Sequence, residues 1–370
     1  MKRIVCILFL FIIMLPSSWG QGVVVIRSSA QKVAKNVLQR NIASGNLSPR
    51  ALSFYKQMQR ENFWELDDML EDYFGLNPLK APSASFVRLN KTLEEAVVDN
   101  YMKRAFYLSE HPVQYQTEVL VGKGNYVSYI PEQARVVLFG EFHEEPWIVD
   151  EVERAVYQYA KAYPEKNVYY ASEFVDSQAN TEPYILSTET DVVQKVRKRP
   201  FYRLVTKRIM RSGVNVVGLE NPQISDVVVK QGYGKLTDNR LGWMAVSPAG
   251  MEDRNTHWAS IIENILSSDP NAVVLVHAGA GHTSYNHPSS LSVKLKHYSP
   301  FVIDFTPAVW SHLNPLLSRF APITREFYDK AADIHLQDPD AKVMFLRRFT
   351  DKRFALSVGS DIQITNFQKE

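Results

Sequence analysis

Two Gly-x-x-His tetrads each follow a short apolar run of the sequence. The first tetrad occupies positions 140–143 after the run 136–139, and the second occupies positions 279–282 after the run 273–276. Histidine is the commonest metal ligand and the side chain that titrates nearest neutral pH, so each tetrad offers a residue able to bind a metal or move a proton. This repeated arrangement predicts a functional site.

Two further apolar runs each lead to a glutamate. The run 168–171 precedes Glu173, and the run 214–219 precedes Glu220. Burying several carboxylates is costly unless they serve one another or a ligand. Short apolar runs without alternation are typical of strands buried on both faces of a parallel sheet, whose ligand crevice lies at the carboxyl ends of the strands. We therefore expect one shared site built from Glu141, His143, Glu173, Glu220, His277 and His282.

The residue types allow two kinds of chemistry. His143, His282, Glu141 and Glu173 could hold a divalent ion such as manganese, cobalt or zinc through nitrogen and oxygen ligands. Thiolate ligands are excluded from the mature chain, because the only cysteine, Cys6, lies within the first twenty residues. Alternatively, His143 or His282 acts as a general base without a metal.

The same residues also have purely structural interpretations. Glu141 could cap the following helix, and Glu220 could cap a turn before Asn221-Pro222. As functional groups, Glu173 and Glu220 could bind the metal, carry a proton or orient a histidine. His277 could end its strand as a hydrogen-bonded supporting residue.

Arg254 lies at the start of a predicted helix, on the same face as a row of apolar residues. Trp258, Ile261, Ile262 and Ile265 follow it at offsets of a single helix face. On that face Arg254 would point towards the crevice, where a guanidinium could hold a carboxylate or stabilise a developing oxyanion. The alternative is a buried ion pair with Glu173 or Glu220.

The elements that must position these residues alternate between strand and helix. This alternation predicts an α/β fold with a mostly parallel central sheet, helices on both faces and a helical N-terminal extension. Strands are predicted to end near 139, 174, 219, 277 and 305, and helices to span 92–108, 146–163, 191–211 (with Pro200 as a kink or break) and 251–267. A hairpin is predicted from 117–121 and 126–130, and late edge strands at 344–346 or 354–358.

Four segments are predicted along the chain. Lys2 and Arg3, an apolar stretch from 4 to 15 and a small-x-small end at 18–20 are typical of a secretory signal peptide cleaved before Gln21. The remaining predicted segments are a helical extension or cap at 21–115, the α/β core at 116–320, and a C-terminal extension at 321–370 that supplies edge strands. The protein is therefore expected to be exported, either periplasmic or secreted.

The net charge of the chain and the length of its leader limit the kinds of partner that we expect. Without Lys2 and Arg3 the 42 basic residues become 40 and balance the 40 acidic ones, which argues against a nucleic-acid partner. The apolar stretch of the leader is too short to favour a permanent membrane span after cleavage. A small molecule or a peptide is the expected substrate.

Together the motifs resemble the erythromycin esterase, ChaN and TIKI superfamily. The resemblance is carried by the tetrad 140–143, the acid Glu173, the arginine of Asp253-Arg254-Asn255, and the segment 276–282. It covers about Gln133 to Phe305 and implies that Glu141, His143, Glu173, Arg254 and His282 line one pocket on an α/β core.

The resemblance implies more than one activity. TIKI proteins are metal-dependent peptidases, erythromycin esterases hydrolyse a lactone, and ChaN proteins bind haem, so the fold does not select the function. The leading expectation is an exported metal-dependent hydrolase of the peptidase or esterase type. The alternative is a ChaN-like haem-binding protein without enzymatic activity, for which His282 and Tyr285 are the candidate axial ligands.

Overall fold

The computed structural model describes most of the chain from residue 84 onwards. The described residues are 84–122, 124–143, 145–181, 185–186, 200–221, 248–307, 320–321 and 323–367. The predicted signal peptide, the first 63 residues of the predicted extension at 21–83, and the part of the predicted helix at 191–199 lie outside them.

Eight strands form one mixed, mostly parallel sheet. Its order is β1-β9-β10-β8-β2-β7-β3-β6. The strands are β1 (Gln116–Val121), β2 (Val136–Glu141), β3 (Asn167–Asp176), β6 (Asn215–Glu220), β7 (Ala272–Gly279), β8 (Phe301–Pro307), β9 (Val343–Arg348) and β10 (Ile362–Phe367), while β4 (Asn180–Thr181) and β5 (Ile185–Leu186) form a separate pair. The run β10-β8-β2-β7-β3-β6 is parallel throughout, and β9 is antiparallel to both β1 and β10. The predicted fold class is confirmed.

Helices cover both faces of this sheet. The longer helices are α1 (Ala84–Glu110), α2 (Pro146–Ala162), α3 (Pro200–Arg211), α4 (Pro248–Ser268) and α7 (Arg325–Gln337), and the shorter ones are α5 (Ala280–Thr283), α6 (Leu291–Lys294) and α8 (Lys352–Val358). Val137 and Phe139 of β2 pack in the core that contains α2 and α3, whereas Val136 and Leu138 pack in the core that contains α4. This alternation is what a strand buried on both faces produces. None of the described helices has the length and apolar character needed to cross a membrane.

The predicted hairpin at 117–130 is wrong. β1 pairs instead with β9, and residues Val127–Tyr129 form a 3-10 helix. Burial explains the difference: Tyr126 is fully buried, and its hydroxyl donates to Glu151 on α2 at 2.6 Å. Packing of this segment against α2 replaces the local turn that the glycines suggested.

The two predicted late strands have different outcomes. Residues 344–346 lie in β9, which is an inner strand because β1 covers it. Residues 354–358 belong to α8, so their assignment as a strand is wrong. The Asp351 side chain caps α8 by accepting from the backbone N–H of Arg353 at 2.7 Å, and Gly359 ends it with φ 113°.

Candidate active site

The predicted site residues lie at the carboxyl ends of four adjacent strands. Glu141 is the last residue of β2, Glu220 is the last residue of β6, and Glu173 and His277 lie near the ends of β3 and β7. Since β2, β7, β3 and β6 are neighbours in the sheet, these ends lie together at one edge of it, where an α/β sheet of this kind binds its ligands. His282 follows on the short helix α5.

Glu141 is the centre of the first half of the cluster. Its Oε1 accepts from Nδ1 of His143 at 2.8 Å and from the hydroxyl of Tyr202, and its Oε2 accepts from Nε2 of His277 at 2.7 Å. Burial alone would raise the pKa of this carboxyl, but His277 and His143 outweigh burial and the pKa is lowered. Glu141 is therefore an ionised acceptor held by three donors.

His277 forms hydrogen bonds with Glu141 through one ring nitrogen and with Tyr170 through the other. The Tyr170 hydroxyl lies 2.7 Å from Nδ1 of His277. If Tyr170 donates this bond, the His277 proton sits on Nε2 and points at Glu141, as the short contact there requires. Both His277 and Tyr170 are buried, so this pair acts from inside the core.

His143 presents its other ring nitrogen towards Glu173. Because Nδ1 donates to Glu141, Nε2 is the ring nitrogen that faces Glu173, and it lies 3.8 Å from Oε1 of that residue. The Phe174 ring meets the imidazole edge to face at 5.3 Å. A Cβ atom at Gly279 would come within 3.0 Å of Cε1 and Nε2 of His143, so glycine leaves the room that the ring occupies.

Arg254 organises the second half of the cluster. Its Nη2 donates to Glu173 at 2.9 Å and to Glu220 at 2.5 Å, and its Nη1 donates to Nε2 of His282 at 3.0 Å. Both carboxylates and the guanidinium are buried. The buried ion pair considered as a structural interpretation of Arg254 is thus present, with both acids.

The pKa values of the two acids that share Arg254 are shifted in opposite directions. Burial acts to raise the pKa of Glu173, but His143, His282, Arg254 and the backbone N–H of Gly279 at 2.8 Å together hold that pKa well below its usual range. Burial raises the pKa of Glu220 despite the opposing effect of Arg254. Glu173 therefore carries the firmly ionised charge of the pair.

His282 is held neutral between two partners. Its Nδ1 donates to the side-chain oxygen of Asn255 at 2.7 Å, and its Nε2 accepts from Arg254. Burial and the neighbouring guanidinium keep its pKa well below the ordinary value. Its ring packs against Trp258 at 4.5 Å between centroids. His282 thus supports Arg254, and both of its nitrogens are engaged.

Tyr285 lies apart from these contacts. Its hydroxyl donates to Asp361 at 2.6 Å, is 2.7 Å from the carbonyl oxygen of Pro300, and accepts from Lys352 at 2.5 Å.

The six residues expected to share one site are connected to one another by contacts that pass through Arg254. They are Glu141, His143, Glu173, Glu220, His277 and His282. Their catalytic or binding roles remain predictions.

Three contributors were not anticipated from the sequence. Tyr202 reaches Glu141 from α3, Tyr170 supports His277 from β3, and Asn255 orients His282 from α4. Asn255 adjoins Arg254 in the sequence, and this adjacency indicates that Asn255 lies near the site. Tyr170 and Tyr202 look like ordinary core aromatics, and only the tertiary fold brings them to the acids.

The predicted metal ligands do not fit a cation in this arrangement. Both oxygens of Glu141 and of Glu173 accept protein hydrogen bonds, and Nε2 of His282 faces the guanidinium of Arg254. A cation on these atoms would displace those donors and lie beside a positive charge. Among the described residues, no group of three or more His, Cys, Asp or Glu side chains is placed to hold a metal.

The predicted haem ligands do not fit either. An axial ligand needs a lone pair that points into an apolar slot. Nε2 of His282 accepts from Arg254, and the Tyr285 hydroxyl is engaged by Asp361 and Lys352. Ligation by either side chain would require these buried contacts to break.

Comparison with known proteins gives structural likeness only. No protein-family model and no curated protein matches the sequence. The fold is similar to the haem-binding ChaN of Campylobacter jejuni (TM-score 0.36, 11% identity, 64% of this chain and 89% of that one) and to a mutant of the erythromycin esterase EreC in its open conformation (0.37, 10%, 65% and 92%). It is also similar to the type III effector HopBA1 (0.33, 15%, 51% and 86%).

The first two of these structures belong to the groups that the sequence motifs resemble. One is a haem-binding protein and the other an esterase, and so the likeness is compatible with both readings. At these TM-scores it carries no argument about activity.

Proposed function

We propose that this protein hydrolyses a carboxylic ester or an amide, with His143 as the general base. The observation that carries the proposal is the 2.8 Å hydrogen bond from Nδ1 of His143 to Glu141. This bond fixes the tautomer, so that Nε2 is the basic nitrogen. A carboxylate that orients a histidine in this way is the arrangement used to activate a nucleophile.

The proposed step starts with a water molecule near Nε2 of His143. Nε2 takes one proton from the water molecule, and the oxygen of that water attacks the carbonyl carbon of the substrate. The resulting imidazolium lies between two carboxylates, Glu141 and Glu173, which stabilise its charge. When the tetrahedral intermediate collapses, His143 returns the proton to the departing alcohol or amine. The products are a carboxylic acid and an alcohol or amine.

Arg254 is proposed as a positioning residue. Its donors are directed to Glu173, Glu220 and His282, so it holds Glu173 beside His143 instead of pointing at a reacting carbonyl. This replaces the expectation that it stabilises an oxyanion directly. Glu220 in turn anchors Arg254 from the end of β6.

No step of the proposed reaction requires a metal. The contacts of Glu141, Glu173 and His282 do not fit cation binding, whereas the same contacts prepare His143 for acid-base work. The substrate is proposed to be a small-molecule ester or a short peptide. Export is proposed from the leader-like pattern of residues 1–20, and a mature N-terminus at Gln21 in the envelope or medium fraction would support it.

The test is hydrolysis by purified protein with and without excess EDTA. The probes are p-nitrophenyl acetate, p-nitrophenyl butyrate, a macrolactone and aminoacyl p-nitroanilides. We expect activity that survives EDTA and falls about 100-fold or more in His143→Ala. His297→Ala is the matched control, because His297 is exposed and its ion pair with the half-exposed Glu263, at 3.4 Å, lies at the surface.

Three results would contradict the proposal in different ways. Equal activity of His143→Ala and wild type would remove His143 as the base. Loss of activity in EDTA with recovery on adding manganese, cobalt or zinc would support the metal-dependent reaction. Absence of hydrolysis together with a Soret band on haem addition, lost in His282→Ala, would support haem binding.

A further inference from the structure

The two edges of the eight-stranded sheet differ in how far the protein covers them. At one edge, β6 is buried in every residue but its first, whereas at the other edge β1 has no buried residue. Gln116, Thr117, Glu118 and Val121 of β1 are exposed, and the two residues between them are only partly buried. β1 is therefore an open edge of the sheet.

Alternate residues of β1 direct their backbone groups to opposite sides of the strand. Gly122, which follows β1, donates its N–H to the carbonyl oxygen of Lys342 at 2.7 Å and so continues the antiparallel register of β1 and β9. Hydrogen-bonded and non-hydrogen-bonded pairs alternate along an antiparallel ladder, so the even-numbered residues of β1 bond to β9. The N–H and C=O groups of Thr117, Val119 and Val121 therefore point away from β9.

These outward groups form a regular row of donors and acceptors. Within the described part of the chain, none of them takes part in a hydrogen bond. Edge strands are usually protected from further pairing by an outward charge, a proline or a bulge. Thr117, Val119 and Val121 supply no such protection, and β1 pairs with β9 in an unbroken register. The charged residue of β1, Glu118, lies on the opposite face, where it accepts from the Tyr129 hydroxyl.

Apolar side chains accompany this row at its carboxyl end. Among the described residues, the two most exposed large aliphatic side chains are Leu336, at 82%, and Val121, at 57%. Val121 is the register partner of Val343, the first residue of β9, and Leu336 lies in the last turn of α7, which precedes β9. Nε2 of His335 donates to the carbonyl oxygen of Ala341 at 3.0 Å and holds this helix end against the loop that leads into β9.

The spacing of the outward groups is complementary to itself. Two β1 strands that run antiparallel, with Val119 opposite Val119 of a second copy, also place Thr117 opposite Val121. Each of these pairs exchanges two hydrogen bonds, so that every outward group of both strands is used. The same register puts Glu118 opposite Leu120 and not opposite a second glutamate. A second copy of this chain therefore satisfies the whole row.

We propose that β1 is a dimer interface, at which the β1 strands of two copies pair antiparallel around Val119 and join the two sheets into one. The paired strands are six residues long, and the apolar side chains at their ends add a small area, which is little for a stable dimer. We therefore expect an equilibrium between monomer and dimer with a Kd on the order of 10 µM.

The interface is separate from the His143 cluster. Three strands lie between β1 and β2, which is the nearest strand that carries a residue of that cluster. The proposal therefore does not rest on hydrolysis.

The first measurement is sedimentation velocity of the purified protein from about 1 µM to about 200 µM, a range that brackets the expected Kd. We expect the mean mass to rise from that of the monomer towards that of the dimer. Hydrogen–deuterium exchange at single-residue resolution then reports on the edge itself. The amides of Thr117, Val119 and Val121 should exchange about fivefold more slowly at the highest concentration. Those of Glu118 and Leu120, which bond to β9, should not change.

A pair of opposite charges tests the register. Val119→Lys places two lysines opposite each other on the two-fold axis, and Val119→Glu places two glutamates there. Each variant alone should stay monomeric at about 200 µM. An equimolar mixture should regain the dimer, because lysine then faces glutamate. Val293→Lys is the matched control, since Val293 is exposed on α6, and it should dimerise like the wild type.

A second test changes the backbone of the edge alone. Val119→Pro removes an outward N–H but leaves the hydrogen bonds between β1 and β9, which is the position where an edge strand tolerates proline. It should weaken dimerisation about tenfold or more. Val119→Thr keeps the N–H and the branched side chain, and should dimerise like the wild type. Melting temperatures show which variants are folded.

The proposal is overturned if the wild type is monomeric at every concentration. Slow exchange of Thr117, Val119 and Val121 in that monomer would show that another segment of the same chain, such as the β-branched run 23–26, pairs with the edge. Rapid exchange would show an edge without a partner. A dimer that persists in folded Val119→Lys and Val119→Pro, or a mixture of the lysine and glutamate variants that stays monomeric, would equally overturn pairing around Val119.

Discussion

Nδ1 of His143 donates to the carboxylate of Glu141 across 2.8 Å, although only one residue separates them in the sequence. Glu141 is the last residue of β2, and His143 turns back over it before α2 begins. The bond therefore joins a rigid strand to a short loop. Its consequence is that the basic nitrogen of His143 faces Glu173.

Replacing Glu141 by glutamine should lower the hydrolytic kcat about 100-fold with little change in KM. The amide is nearly isosteric but cannot accept at both ends, and it carries no charge to stabilise the imidazolium. The measurement is steady-state kinetics on the best ester or anilide substrate. Glu263→Gln is the control, because Glu263 is a half-exposed acid whose ion pair lies on the surface. An unchanged kcat in Glu141→Gln would show that His143 does not depend on this carboxylate.

A methyl group at position 279 should impair the site without unfolding the protein. In Gly279→Ala the new Cβ would come within 3.0 Å of His143 and 3.6 Å of Glu173, so the imidazole must shift. The backbone of Gly279 has φ −56°, which alanine adopts without strain. We expect kcat to fall about tenfold or more, since small misplacement of a catalytic group is costly.

Gly281→Ala is the matched control for this substitution. Its Cβ would meet only the flexible end of Met251, at 3.4 Å. We expect near wild-type kinetics for Gly281→Ala. The circular dichroism spectra of Gly279→Ala and Gly281→Ala should both resemble that of the wild type. Equal kinetic losses at positions 279 and 281 would mean that the loop, and not the space beside His143, limits the activity.

The sequence is sufficient to predict four adjacent strands of the sheet and the place where the acids meet. Apolar runs that end in Glu141, Glu173, Glu220 and His277 identified β2, β3, β6 and β7, because a strand buried on both faces needs a continuous apolar segment. Parallel order then puts their carboxyl ends together. These inferences depend on local pattern and on one general rule of topology.

The wrong and missing predictions share a physical cause. The local pattern predicts a hairpin around Tyr126, but the burial of Tyr126 against Glu151 determines the conformation of that segment. Tyr202 was not connected to Glu141 because the two are 61 positions apart. Contacts of this kind depend on how α2 and α3 dock on the sheet, and periodicity within one element does not specify docking.

Removing Arg254 should destabilise the protein strongly. Arg254→Met leaves two buried carboxylates, Glu173 and Glu220, without their shared cation. Breaking a buried pair in this way lowers the free energy of unfolding by about 3–5 kcal/mol. Urea unfolding followed by circular dichroism measures the loss.

A double-mutant cycle tests whether this loss comes from the acids. Glu220→Gln should recover about 1–2 kcal/mol in the Arg254→Met background, because it removes one of two like charges in a buried site. Alone, Glu220→Gln should cost less, since burial already disfavours the Glu220 charge. Additive effects of the two substitutions would show that Arg254 and Glu220 are not coupled.

Acid destabilisation should be traceable to His287. This residue is 2% exposed, and its Nδ1 accepts from the backbone N–H of Ser289 at 3.1 Å. Burial lowers its pKa from 6.5 to about 4, with Glu252 opposing and Lys294 adding to the effect. Between these two pH values the unfolded chain binds a proton that the folded protein does not, so the free energy of unfolding decreases as the pH falls.

The expected size of this effect is about 3 kcal/mol between pH 7 and pH 4. Asparagine does not titrate in this window and keeps an acceptor near the position of Nδ1. Between pH 7 and pH 4 the free energy of unfolding of His287→Asn should therefore decrease by about 3 kcal/mol less than that of the wild type. Buried His282 contributes a decline of the same sign in both proteins. The difference between the two urea-unfolding series, measured at each pH, therefore isolates His287. Parallel curves for wild type and His287→Asn would mean that His287 is protonated in the folded protein, or that its surroundings in the unfolded chain already exclude the proton.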